Sequence, residues 1–160
     1  MLKLVFDCLR APYDWANILQ TVIAVGDCEI YVTGNSIRHD HPKVLGKVAS
    51  WSKSIKERGL PKLSIHYVFS FLDCIQGLKA KKIITIGTSP YAEESFYGLD
   101  LSGDNLAIVF GTESSGLTKE KSDLIDKMVK LPMSPALDFM TLSVVVPTIV
   151  YEIKRQQGAF

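Results

Sequence analysis

The chain has 160 residues, 47% apolar and 22% charged, an ordinary globular balance that excludes a wholly disordered polypeptide. Basic and acidic residues nearly cancel, 18 against 17, so no global charge draws the protein toward nucleic acid or membrane, although a local patch remains open. The longest strongly apolar stretch, Leu142 to Tyr151, is about ten residues long and interrupted by Pro147, which excludes a membrane span there.

Met1 to Asp7 has no charged leader, long apolar centre or small-residue cleavage site, so no secretory signal is expected. Cys8, Cys28 and Cys74 are odd in number, widely spaced and without a C-x-x-C pair, which points to reduced thiols in the cytoplasm. In chain order, Leu2 to Phe6 reads as a strand. Asp14 to Val25 has the helical spacing of Trp15, Ile18, Leu19, Val22 and Ile23, and Gly26 closes it. Glu29 to Thr33 is a β-branched, aromatic strand. Pro42 suits a first helical turn, and Lys43 to Arg58 follows as one helix with Val44, Leu45, Val48, Trp51 and Ile55 on its apolar face. Leu63 to Phe69 is strand-like, Ser70 to Lys79 helical and Lys82 to Ile86 a strand again. Asn105 to Phe110 is nearly continuous in apolar residues, as in a strand buried on both faces. Leu117 to Lys127 reads as a polar helix, Met128 to Leu131 as a strand, and Leu137 to Gln157 as a closing helix. Pro147 inside it predicts a kink or a late helix start, freeing the carbonyl of Ser143.

Strands and helices alternating over short connections predict an α/β domain with a parallel sheet covered on both sides, a three-layer sandwich. Neither repeats nor linkers divide residues 1–160, so one domain is expected. Charge is uneven along it. Between Arg38 and Lys62 seven basic residues face two acidic ones, and between Glu93 and Asp126 eight acidic residues face two lysines. The basic segment reads either as a solvated face or as a patch that follows RNA phosphates.

No Walker loop or G-x-G-x-x-G appears, and no serine sits in G-x-S-x-G. His39-Asp40-His41 offers two or three metal ligands, but His66 is the one other histidine, and no metal site is expected. Three strand-end stretches are richer: Ile86-Gly-Thr-Ser-Pro90, Phe110-Gly-Thr-Glu-Ser-Ser-Gly-Leu117 and Lys130-Leu-Pro-Met-Ser-Pro-Ala-Leu-Asp138. In an open α/β sheet, ligands gather beyond the carboxyl ends of the strands, so these three loops can enclose one pocket. Leu131 and Met133 can supply apolar surface for a flat ring.

Val109-Phe-Gly-Thr-Glu-Ser-Ser-Gly-Leu117 resembles the second motif of the SpoU (TrmH-like) branch of the SPOUT RNA methyltransferases almost position for position. Leu131-Pro-Met-Ser through Leu142-Ser-Val144 resembles the third motif, and Asp14-Trp-Ala-Asn-Ile-Leu-Gln-Thr21 the first. The likeness runs from about Leu4 to Tyr151, so no added RNA-binding domain is expected. It implies a C-terminal trefoil knot, S-adenosylmethionine as cofactor, tRNA or rRNA as substrate, and a homodimer through the first and C-terminal helices. It places the cofactor against Thr88, Gly111, Leu131, Met133, Phe139 and Met140. It places Asp14, Gln20, Glu113, Thr141 and Ser143 at the catalytic positions.

Those catalytic positions depart from the branch. Asp14 stands where the branch has asparagine, Phe139 and Thr141 replace its serine and asparagine, and Gln20 replaces the arginine thought to help deprotonate the ribose 2′-hydroxyl. Glutamine can orient a hydroxyl but cannot take its proton. Arg10, just after the first strand, is a candidate substitute or a plain surface cation. Three readings follow: a ribose 2′-O-methyltransferase, a reduced homologue that binds cofactor or RNA without transfer, or a methyltransferase with another acceptor.

Overall fold

In a computed structural model describing residues 1–160, the chain forms a seven-stranded sheet, parallel throughout. Its strands are β1 (Leu2–Asp7), β2 (Cys28–Thr33), β3 (Ser64–Tyr67), β4 (Ile84–Thr88), β5 (Glu94–Ser95), β6 (Leu106–Phe110) and β7 (Lys127–Lys130). Their spatial order is β3-β2-β1-β6-β4-β7-β5, so β7 is inserted between two strands that precede it in the chain. The helices are α1 (Pro12–Val25), α2 (Pro42–Trp51), α3 (Lys53–Arg58), α4 (Phe71–Ala80), α5 (Lys119–Ser122) and α6 (Leu142–Gln156).

Side-chain alternation along the central strands builds the layers. Leu4 and Phe6 of β1 and Ile108 and Phe110 of β6 join the core formed with α1, α2 and α6. Val5, Ala107 and Val109 point to the other face and pack with Phe71, Cys74, Ile75 and Leu78 of α4. All five residues of β6 are buried, as its apolar run predicts. The α/β three-layer expectation therefore holds.

Three helical expectations change. The helix expected over Lys43 to Arg58 breaks at Ser52, which is extended and whose Oγ accepts the Ile55 N–H at 3.2 Å, capping α3. Trp51, expected on the apolar face of that helix, is 42% exposed. The helix expected over Leu117 to Lys127 shrinks to α5. Beyond it Ile125 is buried, and Asp126 accepts hydrogen bonds from the Thr85 N–H and hydroxyl, both at 2.8 Å. That side-chain capture satisfies the start of β4 better than continued helix would. The closing helix starts at Leu142, not Leu137, and Pro147 lies inside it instead of at its start. Proline has no N–H, so the Ser143 carbonyl lacks its usual helical donor.

Candidate active site

The carboxyl ends of β4, β6 and β7 lie side by side in the sheet, and the loops that leave them enclose a cavity of about 200 Å³. Thr88, Gly111, Leu131, Met133, Phe139 and Met140 all line it, so the six positions expected to hold a cofactor come together. Neither Phe139, 61% exposed, nor Met133 closes it.

Main chain forms much of its wall. Gly111 has no room for a side chain: a Cβ there would lie 2.6 Å from the Gly116 Cα and overlap the next peptide. Thr112 and Gly116 exchange main-chain hydrogen bonds of 3.2 and 3.0 Å, and Gly116 turns the loop at φ +68. The N–H groups of Gly111, Leu131, Met133 and Met140 donate to no acceptor within the chain. Unpaired donors are uncommon where Gly111 and Leu131 are buried, and they suit a ligand that brings its own acceptors.

Glu113 is the one charged residue of the lining. Its Oε1 accepts the N–H groups of Arg10 and Ala11, each at 2.8 Å, which fixes the entry to α1 against the β6 loop. One turn on, Asp14 is buried and its Oδ1 accepts the Ser143 N–H at 3.2 Å, an otherwise orphaned donor in the first turn of α6. The Ser143 and Thr141 hydroxyls are 2.8 Å apart. Burial pushes the Asp14 carboxyl above its usual value of 3.8, and the nearby Glu113 charge adds to the rise, while hydrogen bonds from Ser143 oppose it. Asp14, Glu113, Thr141 and Ser143 thus form one constellation beside the cavity.

Gln20 stands apart. Six residues after Asp14, it lies about 240° around the helix, exposed and outside the cavity lining. Arg10 turns away as well, its Nε donating to the Asn35 carbonyl at 3.3 Å. His39 shares a 2.8 Å hydrogen bond with the Tyr67 hydroxyl, and His41 caps α2 by accepting the Lys43 N–H at 3.2 Å. Tyr91 and Val145 also line the cavity and escaped the sequence reading. Val145 follows Leu142 at helical spacing and was within reach of it. Tyr91, 87% exposed on a loop, carried no pattern.

The sequence model of the SpoU rRNA Methylase family matches residues 1–151. An uncharacterized tRNA/rRNA methyltransferase of Synechocystis sp. is 26% identical over 158 residues, 99% of this chain and 54% of that protein. The 23S rRNA (guanosine-2′-O-)-methyltransferase RlmB of Xanthomonas axonopodis is 25% identical over 156 residues, 98% of this chain and 59% of its own length. The chain thus spans little more than half of these relatives. A structure described as giving insights into the 2-OH methylation of C/U34 on tRNA superposes with a TM-score of 0.82 at 22% identity, covering 100% of this chain and 98% of that one. AviRb from Streptomyces viridochromogenes, a SpoU methyltransferase solved with AdoMet, gives 0.81 at 22% identity, covering 100% of this chain and 62% of that one. At these identities the structural likeness establishes a shared fold.

Proposed function

We propose that this chain, which belongs to the SpoU rRNA Methylase family, transfers methyl groups from S-adenosylmethionine to ribose 2′-hydroxyls of tRNA or rRNA, with Asp14 taking the hydroxyl proton. The observation that carries this is a buried carboxylate, Asp14, tied through the Ser143 N–H to the segment that lines a cavity walled by unpaired main-chain donors. Gly111, Leu131 and Met140 would hold the nucleoside and methionine ends through main-chain groups, with Leu131, Met133 and Phe139 giving apolar cover. Bound there, S-adenosylmethionine supplies an electrophilic methyl group on a sulfonium centre. A ribose hydroxyl is a weak nucleophile until a positioned base accepts its proton. Asp14 can do so; Gln20 cannot. Thr141 and Ser143, whose hydroxyls lie 2.8 Å apart, would orient the hydroxyl, and Glu113 would hold α1 in register.

The outer side of α6 and the C-terminus expose Val144, Tyr151 and Phe160, with Tyr151 stacked on Phe160 at 5.5 Å. These support a homodimer through the first and last helices, with the apolar side of α6 at its centre. No helix is long and apolar enough to cross a membrane, and the three cysteines are free, which supports a cytoplasmic site of action. The loss of the guanidinium at Gln20 favours a second reading, a homologue that binds cofactor without transfer. Calorimetric titration with S-adenosylmethionine tests the pocket: wild type should bind, and Gly111→Ala, whose Cβ displaces the Gly116 main chain, should not. No heat with wild type would overturn both readings.

A further inference from the structure

Resting on that reading, we infer that a second cleft, on the far side of the first turn of α1, is a subsite for an RNA nucleotide next to the one methylated. Pro12, Tyr13, Lys43, Gly46, Lys47 and Ser50 line it. Tyr13 and Asp14 are consecutive residues of α1: one faces this cleft, and the other is buried against α6. Pro12 of this cleft follows Ala11, whose N–H donates to Glu113 in the cavity lining, so the cleft and the cavity flank the same start of α1.

The chemistry of the cleft suits a base and its phosphates. Tyr13 is 54% exposed, Trp51 meets it edge-on at 6.4 Å, and the Lys47 Nζ lies 5.9 Å from its ring centre. An exposed aromatic face flanked by cations is how single-stranded nucleic acid is held without sequence readout. Lys43, Gly46, Lys47, Ser50 and Trp51 share one exposed stripe of α2. That helix has no acidic residue, and neither lysine has an acidic partner, whereas Lys53 next door pairs with Glu57. Gly46 adds an independent sign. Glycine weakens a helix interior, and a Cβ there would meet nothing within 4 Å, so packing within the chain does not require it. It keeps the floor of the cleft open.

The test is fluorescence anisotropy with a labelled single-stranded RNA of mixed sequence, about twelve nucleotides long, across a salt series. Lys43→Gln with Lys47→Gln should weaken binding about tenfold and lower the salt slope by about 1.4, the loss of two phosphate contacts. Tyr13→Ala should weaken it at least fivefold, while Tyr13→Phe stays within about twofold, because stacking needs the ring and not the hydroxyl. Gly46→Leu should raise the melting temperature and still weaken RNA binding, which a folding defect cannot do. S-adenosylmethionine affinity should be the same in all four. RNA affinity unchanged by Tyr13→Ala, by the double lysine variant and by Gly46→Leu overturns the subsite and leaves the proposed function standing. Dissociation of a dimer by Tyr13→Ala overturns it too, assigning the cleft to a second copy of the chain. Wild type that binds neither RNA nor cofactor removes the proposed function itself.

Discussion

Asp14 carries opposing demands on one side chain. Its raised carboxyl value means that folding favours the neutral form, so the stability it contributes is full below 3.8 and is lost as pH rises through the higher folded value. Asp14→Asn keeps an oxygen for the Ser143 N–H and carries no charge. It should therefore be at least as stable as wild type at neutral pH in urea denaturation, while transfer falls by a factor of about 10² to 10⁴, the usual worth of a general base. Wild-type transfer should fall on the acid side with an inflection above 3.8, and the variant's residual rate should lack that inflection. Equal transfer by Asp14→Asn would assign the base elsewhere. Glu113 does different work. Glu113→Ala strips acceptors from two N–H groups and should cost about 1–3 kcal/mol, whereas Glu113→Gln retains the oxygen and most of the stability.

Elements were legible where burial alone decides them. The continuous apolar run of β6 and the helical spacing of α1 gave their positions to within about two residues, because β6 is buried on both faces and α1 buries one regular apolar face. Boundaries set by single polar contacts were not. The Ser52 cap splitting α2 from α3, the Asp126 contact with Thr85 and the Asp14 contact with Ser143 each join side chain to main chain. The last two span 41 and 129 positions, beyond any local pattern. One such contact supports the loop that follows β6. Asp7, 1% exposed in β1, accepts the Thr33 hydroxyl at 2.9 Å and the Lys121 ammonium at 2.6 Å, binding α5 to the sheet. Lys121→Met should cost about 3 kcal/mol in chemical denaturation, since it leaves a buried carboxylate without its cation. A loss below about 1 kcal/mol would show that Thr33 alone satisfies Asp7.

For the molecule as a whole, the sheet order brings three loops, separated by tens of residues in sequence, to one edge. The cavity was readable because glycines and prolines mark the loops that line it. The acceptor side was less so: Arg10 follows the right strand, yet only the Asn35 carbonyl shows that its guanidinium is engaged elsewhere. The exposed apolar side chains of α6 should bury themselves in a twofold dimer, seen as twice the 17.7 kDa chain mass in sedimentation equilibrium, and Tyr151→Glu should shift it toward monomer. The most direct measurement is mass spectrometry of nucleosides from tRNA and rRNA incubated with the protein and methyl-deuterated S-adenosylmethionine. Label on the ribose fragment of a nucleoside is the expected result; label confined to bases, or none in RNA despite bound cofactor, would contradict it.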